Sequence, residues 1–161
     1  FLVANAEKLP FPDESFDVAC SMGVLHHTPD TAGSIREIHR VLKPGGRLIV
    51  MFYHRNSFLY RILMPLMASR TGKTIQQLVN EVDGAGNPKG DVYSKRELAH
   101  LLGDFERLEL FAGQLEPWQV PLIGPRLSPR WLETLGRRWG WFLYAKAFKP
   151  MAPAKVGRPA P

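Results

Sequence analysis

Two adjacent histidines, His26-His27, are the residues whose chemistry is easiest to name. An unperturbed imidazole titrates near neutral pH and can serve as a general base. The pair can equally pack and cap, one ring against a ligand and the other at the next helix. Zinc fits poorly, because no cysteine pair accompanies them and adjacent histidines lack the i, i+4 helical spacing; no metal is expected. Tyr53 and His54 follow an apolar run, and with Tyr93 they are candidates for contact with a substrate; Trp118 reads better as packing. The lone cysteine, Cys20, sits in an apolar segment with no cationic neighbour, which predicts a small core residue rather than a nucleophile.

The elements that must hold these residues alternate. Residues 1–5 and 16–21 read as strands, separated by a loop that Pro10 and Pro12 break. Thr28 or Asp30 can cap a helix in which Ala32, Ile35, Ile38 and Val41 recur at helical spacing. Lys43-Pro44-Gly45-Gly46 stops it, and the run 47–53 suits a strand covered on both faces. Residues 54–91 are irregular. Within them, residues 58–68 are apolar apart from Arg61, are interrupted by Pro65, and could form a lid, an interfacial segment or a buried helix. Ser94 to Glu97 is a capping box opening a helix that Gly103 ends. A strand over 105–111, a helix from Ser128-Pro129 and a last strand over 141–148 complete an α/β pattern with a mostly parallel sheet. A domain over 1–149 is followed by a tail, 150–161, whose four prolines predict disorder.

The segment Ala4-Asn5-Ala6-Glu7-Lys8-Leu9-Pro10-Phe11-Pro12, then Gly23-Val24-Leu25-His26-His27, then Glu37 through Gly46, resembles the class I S-adenosylmethionine (SAM)-dependent methyltransferases of the type 11 group, which includes quinone-biosynthesis C-methyltransferases. The likeness covers about residues 1–52. It implies a Rossmann-like sheet of order 3-2-1-4-5-7-6 with an antiparallel last strand. Residues 1–5 would then be its third strand, 16–21 its fourth, 47–53 its fifth, and 105–111 and 141–148 its sixth and seventh. The first two strands and the glycine-rich loop are expected to be missing, so the chain is expected to be the C-terminal portion of such a domain and to bind SAM weakly by itself. The resemblance further implies cofactor binding by Asn5 and Ala6 at the adenine, by the end of the fourth strand at Ser21, Met22 and Gly23, and by His26. His27 is then a candidate base, and Tyr53, His54 and Tyr93 would meet a small-molecule acceptor. A non-catalytic binding module on the same scaffold is the alternative.

Composition agrees with one globular domain: 161 residues, 45% hydrophobic and 22% charged. One cysteine suits a reducing, cytoplasmic setting. The net charge of +6 is uneven, since residues 126–161 hold 8 basic side chains against Glu133 alone. Those charges are scattered, so a solvated end is the better reading and nucleic acid the poorer one. Peripheral contact with a membrane or an apolar substrate through residues 58–68 stays open.

Overall fold

The computed structural model describes residues 1–81, 89–120 and 122–151. Its elements in chain order are β1 (Phe16–Met22), α1 (Thr31–Val41), β2 (Leu42–His54), α2 (Met64–Thr71), α3 (Ile75–Glu81), β3 (Val92–Tyr93), α4 (Lys95–Leu101), β4 (Glu106–Gly113), α5 (Pro129–Trp139) and β5 (Phe142–Phe148). The sheet runs β1-β2-β5-β4, with β3 paired to the end of β2. β1 and β3 lie parallel to β2, while β5 runs antiparallel to both β2 and β4. This is the 4-5-7-6 portion of the expected order, including the reversed last strand.

The central strand β2 explains the core. Leu48, Val50 and Phe52 point to one face and are fully buried, together with Leu98 and Leu102 of the α4 region and Ile35 and Ile38 of α1. Their opposite-facing neighbours Ile49 and Met51 are only half-buried and Arg47 is exposed, so the second face is fully covered only at Tyr53. Period-2 alternation of burial is what a one-sided sheet produces. A second cluster, Tyr53, Leu59, Tyr60, Met64, Leu78 and Val79, packs over the carboxyl end of β2.

Local signals account for most boundaries. Asp30 caps α1, accepting from the Gly33 N–H at 2.8 Å. β2 begins directly after α1 at Leu42, earlier than the turn residues predict. The stretch 43–46 bulges out of register with β1, and Gly45 holds φ +75° there. Ser94 and Glu97 form the expected capping box. Pro65 does not interrupt the 58–68 segment: a π-helical turn over Leu59–Leu63 runs straight into α2, with Pro65 in the first turn, where its missing N–H costs little.

Two further expectations are corrected. Residues 1–5 form no strand; Phe1 and Val3 are fully exposed at 136% and 101%, and Asn5 makes only an isolated bridge with Lys8. Backbone that finds no partner strand has no ladder to join, whatever its β propensity. Cys20 is exposed, because it lies on the solvent-facing side of the edge strand β1. The predicted disordered tail falls, from residue 152 on, outside the described residues.

Candidate cofactor groove and aromatic end of the sheet

The loop before β1 is held to α1 by charged side chains. Glu37 accepts from the Leu9 N–H at 2.8 Å, and Arg40 donates to the Phe11 and Leu9 carbonyls at 2.8 and 3.1 Å. Arg40 also bridges Glu37 and Asp13 at 2.8 and 2.7 Å. The Arg40 guanidinium and the Leu9 N–H hold the Glu37 carboxyl at about 2, well below its ordinary 4.5. Glu7 ties the same loop to the start of α1, accepting from the Asp30 N–H at 2.7 Å.

This loop, β1 and α1 border an open apolar groove of about 450 Å³. Ala6, Leu9 and Phe11 of the loop, Ile38 and Val41 of α1, and β1 through Ser21 and Met22 line it. Of the residues assigned to the cofactor, the structure therefore brings Ala6, Ser21 and Met22 together. Gly23 follows at φ +75°, a left-handed conformation that an L side chain adopts at a cost, and a Cβ there would press on Met51 at 3.3 Å. Asn5 turns away: its side-chain oxygen accepts from the Glu7 N–H at 2.9 Å, closing a local turn. His26 does not line the groove; it is fully buried, 4.2 Å from the Tyr53 ring and 4.0 Å from His27.

The residues assigned to an acceptor gather at the carboxyl end of β2. Tyr53 is buried and stacks with Trp141 and Phe142. His54 is buried, and its Nδ1 lies 3.0 Å from the Gly140 carbonyl, so Nδ1 carries the proton and donates. Burial lowers the His54 pKa, and Lys95 lowers it further. Tyr93 is half-buried, donates to Asp91 at 3.3 Å, and has its phenol pKa raised by burial. His27 is partly exposed and its Nδ1 donates to the Lys89 carbonyl at 2.7 Å. Trp118 lies across from Trp141 at 6.0 Å, edge to face, and is more than half exposed. Sequence reasoning missed the roles of Glu37 and Arg40, although both stand in the quoted motif. It also missed β3, whose two residues bring Tyr93 beside His54. No group of His, Cys, Asp or Glu suited to a metal occurs among the described residues.

A family model described as a methyltransferase domain matches residues 1–50. The match covers less than a third of the chain. The segment is similar to the ubiquinone/menaquinone biosynthesis C-methyltransferase of Hahella chejuensis, 47% identical over 55 residues, which are 34% of this chain and 22% of that protein. It is also similar to the 27-O-demethylrifamycin SV methyltransferase of Amycolatopsis mediterranei, 54% identical over 48 residues, 30% of this chain and 18% of that protein. The chain spans about a fifth of the length of the curated relatives it matches. Beyond the methyltransferase segment the likeness is carried by structure. A SAM-dependent methyltransferase from Thermotoga maritima, described as a possible histamine N-methyltransferase, superposes with a TM-score of 0.63 at 27% identity, over 92% of this chain and 63% of that one. The fold is that of the SAM-dependent methyltransferases.

Proposed function

We propose that the protein carrying this chain transfers a methyl group from SAM to a small-molecule acceptor, with the adenosine end of SAM in the groove along β1. The observation that carries this reading is the meeting of Ala6, Ser21 and Met22, all from the methyltransferase segment, in one apolar groove. The residues suit the group. Ala6, Leu9, Phe11 and Leu25 offer apolar surface to a flat heterocycle, and the carboxyl end of a parallel strand is where open α/β sheets bind ligands. Asn5 would have to release its turn with Glu7 to reach the adenine amine. SAM supplies an activated sulfonium methyl, so the chain need only align the partners and exclude water. Gly23 lets backbone approach closely, and His26 serves the site through packing, by fixing Tyr53 and His27. Where the acceptor must lose a proton first, His27 is the group we assign as base. Tyr53, His54 and Tyr93 would shape the acceptor side.

The acceptor reading is a small, apolar or aromatic molecule, since Ile62, Leu66 and Met67 stand exposed on the segment over the aromatic end of the sheet. Peripheral contact of that segment with a membrane belongs to the same reading. Among the described residues no helix is long and apolar enough to cross one. We place the reaction in the cytoplasm, which a single free cysteine suits.

The test is SAM consumption by the product of the natural gene, offered quinol, phenol, amine and lipid acceptors in turn. Turnover with one acceptor class is expected. Ser21→Phe, which fills the groove, should raise the KM for SAM at least about tenfold while far-UV circular dichroism stays native. Turnover untouched by that substitution would remove the groove from the mechanism.

A further inference from the structure

The carboxyl end of the sheet holds a second concavity that shares no lining residue with the groove along β1. It has two halves. The polar half, about 510 Å³, lies between the end of β2, the start of α4 and the end of α5. The apolar half, about 360 Å³, is lined by Phe58 and Ile62. Asn56, Arg61 and Trp139 belong to both, so the two halves meet along one seam.

Charge in the polar half is one-sided. Arg61, Lys95, Arg96, Arg137 and Arg138 line it, and no carboxylate does. Arg137 is paired with Glu133 at 2.9 Å. The other four cations make no ion pair among the described residues, although Arg55 nearby finds Glu97 at 3.0 Å and Lys146 finds Glu109 at 3.2 Å. Four like charges lining one concave surface repel one another and focus a positive potential into it. Guanidinium forks match the paired oxygens of a phosphate, and a dianion answers several cations better than a carboxylate does. Beside them Ile62 and Trp139 leave apolar surface in water, at 50% and 40% exposure. Cations on one side of the seam and uncovered apolar surface on the other describe a ligand with both properties.

We propose that this cleft binds an organic phosphate monoester, its phosphate held by Arg61, Arg96 and Arg138 and its apolar or aromatic body lying along Phe58, Ile62 and Trp139. The proposal does not depend on methyl transfer. It rests on residues outside the 1–50 segment and is tested without SAM, although His54 and Ile62, named above for the acceptor side, also line this cleft.

The test is isothermal titration calorimetry of this chain at low salt with phenyl phosphate, inorganic phosphate and phenol. Phenyl phosphate should bind, more weakly as salt is raised, with inorganic phosphate about tenfold weaker and phenol giving no heat. Arg61→Ala and Arg96→Ala, both exposed and expected to fold, should each weaken phenyl phosphate about tenfold. Arg107→Ala, at the far end of β4, should leave binding unchanged. No binding of phenyl phosphate, or binding indifferent to Arg61 and Arg96, overturns the proposal. So does binding confined to phosphatidic acid vesicles, which would make the patch a membrane contact rather than a small-molecule site.

Discussion

At the residue scale, Arg40 and His54 show how side chains far from any reacting atom set up the two ends of the sheet. Arg40 gathers the carbonyls of Leu9 and Phe11 and the carboxylates of Asp13 and Glu37, and so fixes the wall that Ala6, Leu9 and Phe11 give the groove. Arg40→Met should keep the aliphatic contact and lose all of these bonds. Amide exchange over residues 5–13 should rise, and the thermal midpoint should drop by about 2–4 °C. Unchanged exchange in that loop would show that other contacts hold it. His54 makes a second prediction. Burial lowers its pKa below the ordinary 6.5, and burial lowers that of His39 likewise. Below pH about 6.5 the unfolded chain therefore takes up protons that the folded chain refuses. Stability from these two groups is fully present above that pH and declines as pH falls toward their folded values. Denaturant midpoints should fall between pH 7.5 and 5.5, and His54→Asn, whose amide can still donate to Gly140, should flatten part of that slope. A slope as steep as wild type would refute the assignment to His54. Neither role was legible from residue type. Arg40 reads as an ordinary solvent-face charge of an amphipathic helix, and His54 as a candidate for substrate contact, which says nothing of its burial.

At the element scale, legibility follows whether the signal is local. The capping box at Ser94 is written into four consecutive residues and appears as read, the Ser94 N–H donating to Glu97 at 2.7 Å and its hydroxyl accepting from the Glu97 N–H at 3.2 Å. Ser94→Ala should cost about 1 kcal/mol in a denaturant titration, with the loss confined to α4 in amide exchange. A change within error would mean that burial of Leu98 alone holds that helix. Sheet order, by contrast, depends on which strands meet, and only the motif-borne resemblance carried it. β3 is two residues long and exists because Arg55, beyond β2, donates its backbone N–H to the Tyr93 carbonyl at 2.8 Å and its side chain to the Val92 carbonyl at 2.9 Å. No periodicity can announce such a strand. Residues 1–5 fail in the opposite sense. Their composition is that of a strand, but pairing is a property of two segments, and among the described residues they pair with no strand, the isolated bridge to Lys8 aside.

At the scale of the whole molecule, one edge of the sheet governs behaviour. Among the described residues β1 pairs with β2 alone, and on one of its faces Phe16, Val18 and Met22 stand exposed. The backbone of an open, apolar edge is a template for another strand. The groove assigned to adenosine opens along that same strand, so association at the edge and ligand binding draw on one surface. The 161-residue chain by itself should self-associate as its concentration rises, by light scattering, and Val18→Lys should suppress this by placing a charge on the edge. SAM titrated into the unsubstituted chain, at concentrations where scattering shows a monomer, should give no measurable heat, because β1 and α1 bound the groove while nothing described closes it at the edge. Micromolar affinity in that titration would show that the loop from Asn5 to Phe11 and the end of β1 hold the cofactor unaided. The edge would then be a feature of association alone.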